Sequence, residues 1–298
     1  MFLCLCLVCP LYAQDEAAAP VWTIYQRFQG SSSSFGQIVK TNTNVAFDMS
    51  KHFAVDVGAP YYMVNYSTNA TGEGSTFKSG IGNVYADVRL NVPASWVNYV
   101  ATVTATAPTG SREKGLSTGH ATVDWNNGFY RVFGNRVSPY VNIGIANTVS
   151  DTPFFLRPFS SSGIVGHFDG GATLSLSRFI AVGASAYSIV PSGEQTIVSK
   201  VVEVHTEIVP APTLPPNSRG RGLGLAKRGP TERVFETVTE VIGTADLASD
   251  HGFSTWVGIG PIKQLDLTIG YNHSQRYALD SLFWGVGLRL GSFGQRRR

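Results

Sequence analysis

Residues 80–110 alternate between apolar and polar side chains with a period of two. Within 82–92 the apolar residues occupy even positions, and after a short NVPAS break they occupy odd positions over 97–107. Successive side chains of a β-strand point to opposite faces, so this pattern predicts a long β-hairpin with one uniformly apolar face. The opposite face carries Asp87 and Arg89 in mid-strand, where a soluble sandwich would need its core. A barrel with a wet interior and a lipid-facing exterior fits both faces.

The same alternation can be followed from residue 21 to residue 293. Its breaks predict about twelve strands, at 21–29, 35–49, 53–66, 82–92, 97–107, 120–133, 140–147, 167–177, 179–190, 253–260, 265–273 and 282–290. Connections after odd-numbered strands are long and polar, whereas those after even-numbered strands are turns of a few residues. Outer-membrane barrels have this asymmetry, with long extracellular loops and short periplasmic turns. The sequence therefore predicts an all-β fold, a transmembrane antiparallel up-and-down β-barrel of about twelve strands with both termini in the periplasm.

Two segments fall outside the alternation. Residues 191–250 contain two β-prone stretches around a Pro/Gly/Arg-rich centre, and we expect an extracellular excursion built as a hairpin with a disordered tip. Residues 1–13 are apolar but too short to span a bilayer, which predicts a signal peptide and a mature barrel over 14–298. A lipoprotein is the alternative, but Val8 precedes Cys9 where a small residue is expected. All three cysteines lie in this leader, so disulfides and cysteine metal sites are excluded from the mature chain.

The composition is unusual for a soluble protein. Only 14% of the residues are charged, against about a quarter in typical soluble domains. The net charge of +3 is too small, and the basic residues too scattered, to indicate a nucleic-acid partner. We expect the partners of such a barrel to be the lipid bilayer with its lipopolysaccharide, small-molecule solutes and the barrel assembly machinery, with the aromatic Phe293 near the C-terminus as an assembly signal. The expected location is the bacterial outer membrane.

Three motifs resemble a known family. The GIGNVYADVRL stretch, the ATAPTG strand end with its polar loop, and the strand that contains Trp125 are similar to bacterial outer-membrane transporters encoded beside aromatic (phenol) meta-cleavage pathways. The resemblance covers about residues 55–146, and Asn83 replaces an Asp of the family pattern. It implies a channel for small molecules, including aromatic or hydrophobic compounds. The positions that match the family's Gly-Leu-Gly-Asp and Pro-Thr-Gly motifs are Gly80, Gly82, Pro108, Thr109 and Gly110.

Charged residues on the predicted inner face are the candidate pore-lining residues. Two interpretations stay open: a charged lining that selects solutes, or ion pairs that fill the barrel, because twelve strands lie between the filled eight-stranded and the open sixteen-stranded case. Asp87 and Arg89 are the expected pair. The ten predicted pore-lining residues are Arg27, Lys40, Asp48, Asp56, Asp87, Arg89, Asp124, Asp169, Asp266 and Arg289.

A catalytic role is the weaker hypothesis. His120, His167 and Asp169 are predicted near the extracellular rim, but no spacing connects a nucleophile to a base. The histidines lack metal-ligand spacing, so we expect no catalytic residues, metal or cofactor. Aromatic residues cluster towards strand ends, as in a membrane-interface girdle. This predicted girdle comprises Trp22, Tyr62, Trp96, Trp125, Tyr130, Phe179, Tyr271, Trp284 and Phe293. We predict a passive channel for small solutes; the alternative is a surface-structural or adhesive barrel with a blocked lumen that acts through residues 191–250.

Overall fold

The computed structural model describes residues 21–34, 36–67, 75–112, 114, 116–117, 119–149, 159–199, 203–209, 231–237, 240–243, 249–262 and 264–294. The predicted signal peptide and the tip of the predicted excursion lie outside these residues. Sixteen β-strands are present in the described part of the chain. Their bounds are β1 Val21–Ser33, β2 Gly36–Asp48, β3 Phe53–Ser67, β4 Ser75–Ile81, β5 Tyr85–Val92, β6 Asn98–Thr106, β7 Thr122–Tyr130, β8 Val137–Val149, β9 Phe159–Ser175, β10 Ile180–Ser199, β11 Glu203–Val209, β12 Thr231–Thr237, β13 Glu240–Gly243, β14 Asp250–Ile262, β15 Leu265–Ser274 and β16 Leu279–Gly294.

The strands close into a barrel. Neighbours along the chain pair antiparallel in the order β1, β2, β3, β5, β6, β7, β8, β9, β10, β14, β15, β16, and β16 returns to β1 along its whole length, from Val21↔Gly294 to Ser33↔Ser281. β4 and β5 pair with successive parts of β3, so β4 and β5 together form one interrupted strand of the wall. The wall therefore has twelve strands, which confirms the predicted fold class.

The connections are sorted between the two ends of the barrel. The strand ends that flank residues 68–74, 107–121, 150–158 and 200–249 are all at one end of the barrel, which we call the extracellular rim. The ends joined by the short connections after β2, β5, β7, β9 and β14 are at the opposite, periplasmic rim. One predicted loop is wrong. The GSSSS segment continues β1 to Ser33, so β1 and β2 meet in a tight turn because β1 is longer than the sequence pattern indicated.

The outer surface of the wall is apolar. Val57, Trp125, Ile145 and Ile269 are 50%, 50%, 49% and 61% exposed, and they alternate along their strands with more buried polar residues or glycine. A continuous apolar surface of this kind is unfavourable in water but is required in contact with the hydrocarbon of a bilayer. A closed barrel also pairs the backbone groups of its strands, which lipid cannot do. The predicted outer-membrane barrel is therefore confirmed.

An interruption in the wall strand lies at residues 82–84, between β4 and β5. On β4 the even-numbered Lys78 is on the inner face, whereas on β5 the inner residues are odd-numbered, so the break reverses the alternation. The predicted strands 53–66 and 82–92 leave Lys78 in the connection between them, whereas the structure has it in β4. Gly82, expected on the outer face, instead lies beneath the ring of Tyr62 inside the barrel.

Pro60 does not interrupt β3. The β2–β3 ladder continues in register through Asn42↔Pro60, and the Pro60 carbonyl accepts a hydrogen bond from Gly82 N. Proline lacks an N–H, and it sits where β3 passes from β5 to β4 as its neighbour, so no ladder bond is lost. Because no residue is inserted, Tyr62 stays on the inner face. Tyr130 is also on the inner face, because it pairs with the buried Tyr140. The prediction that Tyr62 and Tyr130 belong to the aromatic girdle is therefore wrong.

The excursion after β10 contains the predicted hairpin, in which β11 pairs with β12. β10 itself extends past Pro191 to Ser199, pairing with β9 on one side and with β13 on the other. Wall strands need about ten residues to cross a bilayer, so this three-stranded end projects beyond the membrane. Within the described ranges, no helix has the length and apolar character needed to cross a membrane.

Candidate functional site

The ten predicted pore-lining residues all occupy inner-face positions of the wall. Each lies in phase with the more buried residues of its own strand, as Arg27 does with Thr23 and Gln29, and Asp169 with Val165 and Thr173. The residues differ in how far they are covered: Lys40 is 1% exposed and Asp56 is 2% exposed, whereas Asp48 lies exposed beside a periplasmic turn. The inner face is therefore charged over most of its height.

Acidic residues form a row across neighbouring strands. Asp56 on β3 is the register partner of Asp87 on β5, Asp87 is the partner of Thr104 on β6, and Thr104 is the partner of Asp124 on β7. Cross-strand partners stand about 5 Å apart, so the first two carboxylates are immediate neighbours. One oxygen of each, Asp56 Oδ1 and Asp87 Oδ1, is buried with no hydrogen-bond partner among the described residues. This stretch of the inner wall has a negative potential.

Arg89 partly neutralises the acidic row. Its guanidinium forms an ion pair with Asp56 on the neighbouring strand, and the pair differs from the predicted one between Arg89 and Asp87. Residues i and i+2 of one strand are separated by about 6.6 Å, whereas diagonal cross-strand positions let long side chains meet. The two side chains are unequally covered: that of Asp56 is 3% exposed and that of Arg89 is 41% exposed.

A histidine crosses the inner wall to reach the far end of the acidic row. The Nε2 of His167 on β9 lies 2.8 Å from Asp124 Oδ1 on β7, and its ring covers Gly144 on the intervening β8. A Cβ on Gly144 would be 2.1 Å from the ring, so only glycine permits the crossing. Asp169, on the same strand as His167, instead accepts a bond from Asn142 Nδ2 at 3.3 Å. The Nε2 atom of this imidazole thus has a carboxylate partner.

The basic inner-face residues group on the adjoining strands β16, β1 and β2. Arg289 donates to the Tyr25 hydroxyl at 3.1 Å and lies over the Tyr25 ring. Gly287 on β16 is the register partner of Arg27 on β1 and, on its other side, of Asp266 on β15. Lys40 lies 5.6 Å from the ring centroid of Tyr62. The described inner-face charges are therefore mainly basic on β16–β2, where Asp48 is an exception, and mainly acidic on β3–β9, where Lys78 and Arg89 are exceptions.

A buried polar network on β10, β14 and β15 was missed from the sequence. Asp250 accepts bonds from Ser274 Oγ at 2.6 Å and from the Tyr187 hydroxyl at 3.2 Å, and Ser254 Oγ donates to Asn272 at 2.6 Å. The predicted excursion over 191–250 includes Asp250, whereas the structure has it as the first residue of β14. Alternation over 250–262 could have revealed it, since the even positions Asp250, Ser254 and Trp256 are all buried.

The family-like motif positions meet where the wall strand is interrupted. The Thr109 hydroxyl accepts from Val84 N at 2.9 Å and donates to Gly82 O at 3.0 Å. Asn83 Oδ1 accepts from Gly110 N at 3.1 Å, a bond that an aspartate could also accept. A side chain on Gly110 would lie 2.7 Å from the Leu116 carbonyl. These bonds replace the ladder bonds lost at 82–84 and fix the start of the 107–121 loop.

The 107–121 loop turns inward from this junction. Leu116 packs on the buried pair Ile38 and Val64 of the inner wall, together with Tyr62. Lys114 Nζ donates to the Ser79 carbonyl of β4 at 3.0 Å. The loop therefore covers part of the extracellular mouth above β2–β4 and adds a cation there.

Neither a protein-family model nor a curated protein matches the chain. Several solved structures do. An outer-membrane channel from Pseudomonas putida F1 is 11% identical with a TM-score of 0.49, over 92% of this chain and 96% of that one. The NanC porin is 8% identical with a TM-score of 0.48, over 90% of this chain and 100% of that one. The Pseudomonas putida toluene transporter TodX is 8% identical with a TM-score of 0.39, over 92% and 88%.

The chain is a twelve-stranded outer-membrane barrel. Its wall is closed, and the outer surface of that wall is apolar. Among the residues described here, no group of three or more histidine, cysteine, aspartate or glutamate side chains is placed to hold a metal ion.

Proposed function

We propose that this chain is a passive channel of the bacterial outer membrane for small solutes. The observation that carries the proposal is solvent exposure inside the wall: the side chains of Arg89 and Asp124 face inward at mid-strand and are still 41% and 29% exposed. A residue on the inner face cannot be exposed to lipid, so its exposure means space for water in the lumen. Water-filled barrels with charged linings act as solute channels.

The acidic row should make the channel prefer cations over anions. Asp56, Asp87 and Asp124 share the row with one guanidinium, that of Arg89, so cations are favoured along β3–β7. Rings of charged side chains of one sign select the opposite ion in channels. The ten inner-face charges are proposed as pore-lining residues on this basis.

The solutes are proposed to include small aromatic or hydrophobic compounds, which the resemblance to the meta-cleavage transporters implies. The rings of Tyr62 and Tyr85 on the inner wall support this, since aromatic faces bind apolar solutes in a polar lumen. Lipopolysaccharide and the barrel assembly machinery are proposed as partners because a barrel of this kind is inserted into an asymmetric outer membrane.

A surface role is the second candidate. The extended end of β10 with β9 and β13 projects beyond the membrane and could bind a partner while the lumen stays closed. Planar-bilayer recording separates the two. We expect discrete conductance steps with a preference for cations; folded protein that gives no steps would exclude the channel and leave the surface role.

Selectivity supplies the sharper measurement. Asp87→Asn should shift the reversal potential in a salt gradient towards anions, because it removes one charge from the acidic row. Asp280→Asn is the matched control, since Asp280 lies on the outer face at the extracellular end of β16 and is 64% exposed. Equal shifts for the two variants, or none for Asp87→Asn, would contradict a pore-lining role.

A further inference from the structure

The apolar belt is interrupted at mid-height on β1 and β2. Gln26 is the sixth of the thirteen residues of β1, and Thr41 and Thr43 are the sixth and eighth of the thirteen of β2. Gln26 is in phase with the exposed Phe28, and the threonines are in phase with the exposed Val45, so all three point away from the lumen. We call them the Gln26 cluster.

The Gln26 cluster is internally hydrogen-bonded. Gln26 Nε2 donates to Thr41 Oγ1 at 2.6 Å, and Thr43 Oγ1 donates to Gln26 Oε1 at 2.5 Å. A primary amide has two N–H donors and two acceptor positions, so half of its hydrogen-bonding capacity is used in these bonds. Hydrocarbon offers no partner for the other half, and an unsatisfied polar group in lipid is costly. The cluster is therefore best accommodated against protein.

We propose that the Gln26 cluster is the centre of a contact with a second copy of this chain. An amide both donates and accepts, so it is complementary to itself across a two-fold axis, where the same residue meets its own copy. Ala59, the register partner of Thr43, is small and lets a second wall approach. Phe28 beside Gln26 is 37% exposed and would provide the apolar margin that excludes lipid from the polar centre.

Site-directed cross-linking in membranes tests the contact. In a background where the three native cysteines are serine, Thr43→Cys should give a dimer band with a short bis-maleimide reagent. Val103→Cys, on the apolar belt of β6, and Asn127→Cys, a polar outward position on β7, are the matched controls. Dimer formation from Thr43→Cys alone supports the proposal. A yield no higher than that of Val103→Cys, a dimer through Asn127→Cys, or cross-linking of Thr43→Cys to a different protein would overturn it.

The amide itself is tested in the same background. Adding Gln26→Leu to Thr43→Cys should lower the dimer yield on the order of tenfold at equal protein density, as expected for the loss of two hydrogen bonds across a membrane interface. The monomer should remain a folded barrel, seen as a heat-modifiable band in gel electrophoresis, because leucine suits the lipid-facing position. An unchanged dimer yield with a folded monomer would refute the role of the amide. The conductance of the monomer does not depend on the dimer yield. The channel proposal and the proposed contact between copies can therefore be refuted independently.

Discussion

Removing Arg89 should destabilise the barrel more than removing its partner Asp56. The Asp56 side chain is 3% exposed, so Arg89→Gln leaves a carboxylate that water does not reach, facing a second carboxylate at Asp87. Breaking a buried pair in this way costs about 3–5 kcal/mol. Asp56→Asn leaves a guanidinium that is 41% exposed and stays hydrated, and it also removes the repulsion by Asp87. A partly exposed pair contributes about 1 kcal/mol or less.

The expected difference between the two variants is therefore at least about 2 kcal/mol, or roughly 30-fold or more in the unfolding equilibrium. Equilibrium unfolding in denaturant, followed by tryptophan fluorescence of the barrel folded into lipid vesicles, measures it. Arg131→Gln is the matched control: its guanidinium lies over the Phe133 ring at the exposed periplasmic rim, and its loss should cost about 0.5 kcal/mol. At low pH the penalty of Arg89→Gln should shrink, because a protonated Asp56 needs no counter-charge.

The reverse order of the two costs would refute this reasoning. If Asp56→Asn were as destabilising as Arg89→Gln, the energy of the pair would come from the attraction between the charges, and the unequal burial would be irrelevant. If neither variant changed stability, the Asp56 carboxylate would have to be reached by water from the lumen.

Two further variants test how the inner wall is built. Gly144→Ala should destabilise the barrel by about 1–3 kcal/mol, because the new methyl group displaces the His167 ring from Asp124 and also lies 2.9 Å from the Trp125 carbonyl. Adding His167→Ala should restore only part of the loss in the same unfolding assay, because the contact with the backbone carbonyl remains. Thr109→Val should cost about 1 kcal/mol, since it removes the hydrogen bonds to Val84 N and to the Gly82 carbonyl. Thr109→Ser keeps the hydroxyl and should be neutral. Equal costs for the two variants would show that these hydrogen bonds do not stabilise the barrel.

The architecture could be predicted because each wall strand has its own period-two pattern. Lipid demands apolar side chains on one face, and an antiparallel up-and-down order follows from short connections, so strand count and loop sorting were both available from the sequence. The pattern was least informative where the backbone is irregular. Because the alternation reverses at residues 82–84, Lys78 is not among the predicted inner-face residues. Tyr62, predicted in the aromatic girdle, lies on the inner face because the ladder continues in register through Pro60.

The contacts of the candidate site could not be predicted because they depend on the register between strands. Alternation identifies Asp56 and Arg89 as inward-facing, but only the offset of β3 against β5 brings them together. The His167–Asp124 contact is more remote, since it spans an intervening strand and requires Gly144 beneath the ring. Sequence reasoning can list the groups that share a lumen, whereas their pairing requires coordinates.

Glycines on the inner face bear on the choice between a channel and a filled barrel. The Tyr85 ring lies over Gly58 and its hydroxyl accepts from Asn42 Nδ2 at 2.7 Å, two strands away, and His167 crosses Gly144 in the same manner. A large side chain that lies flat along the wall occupies less of the lumen's cross-section than one that projects towards the axis. Hydrogen bonds that run around the wall therefore stiffen the barrel without filling it. For this reason the polar pairs of the inner face are compatible with an open lumen, and the channel is favoured over a plug.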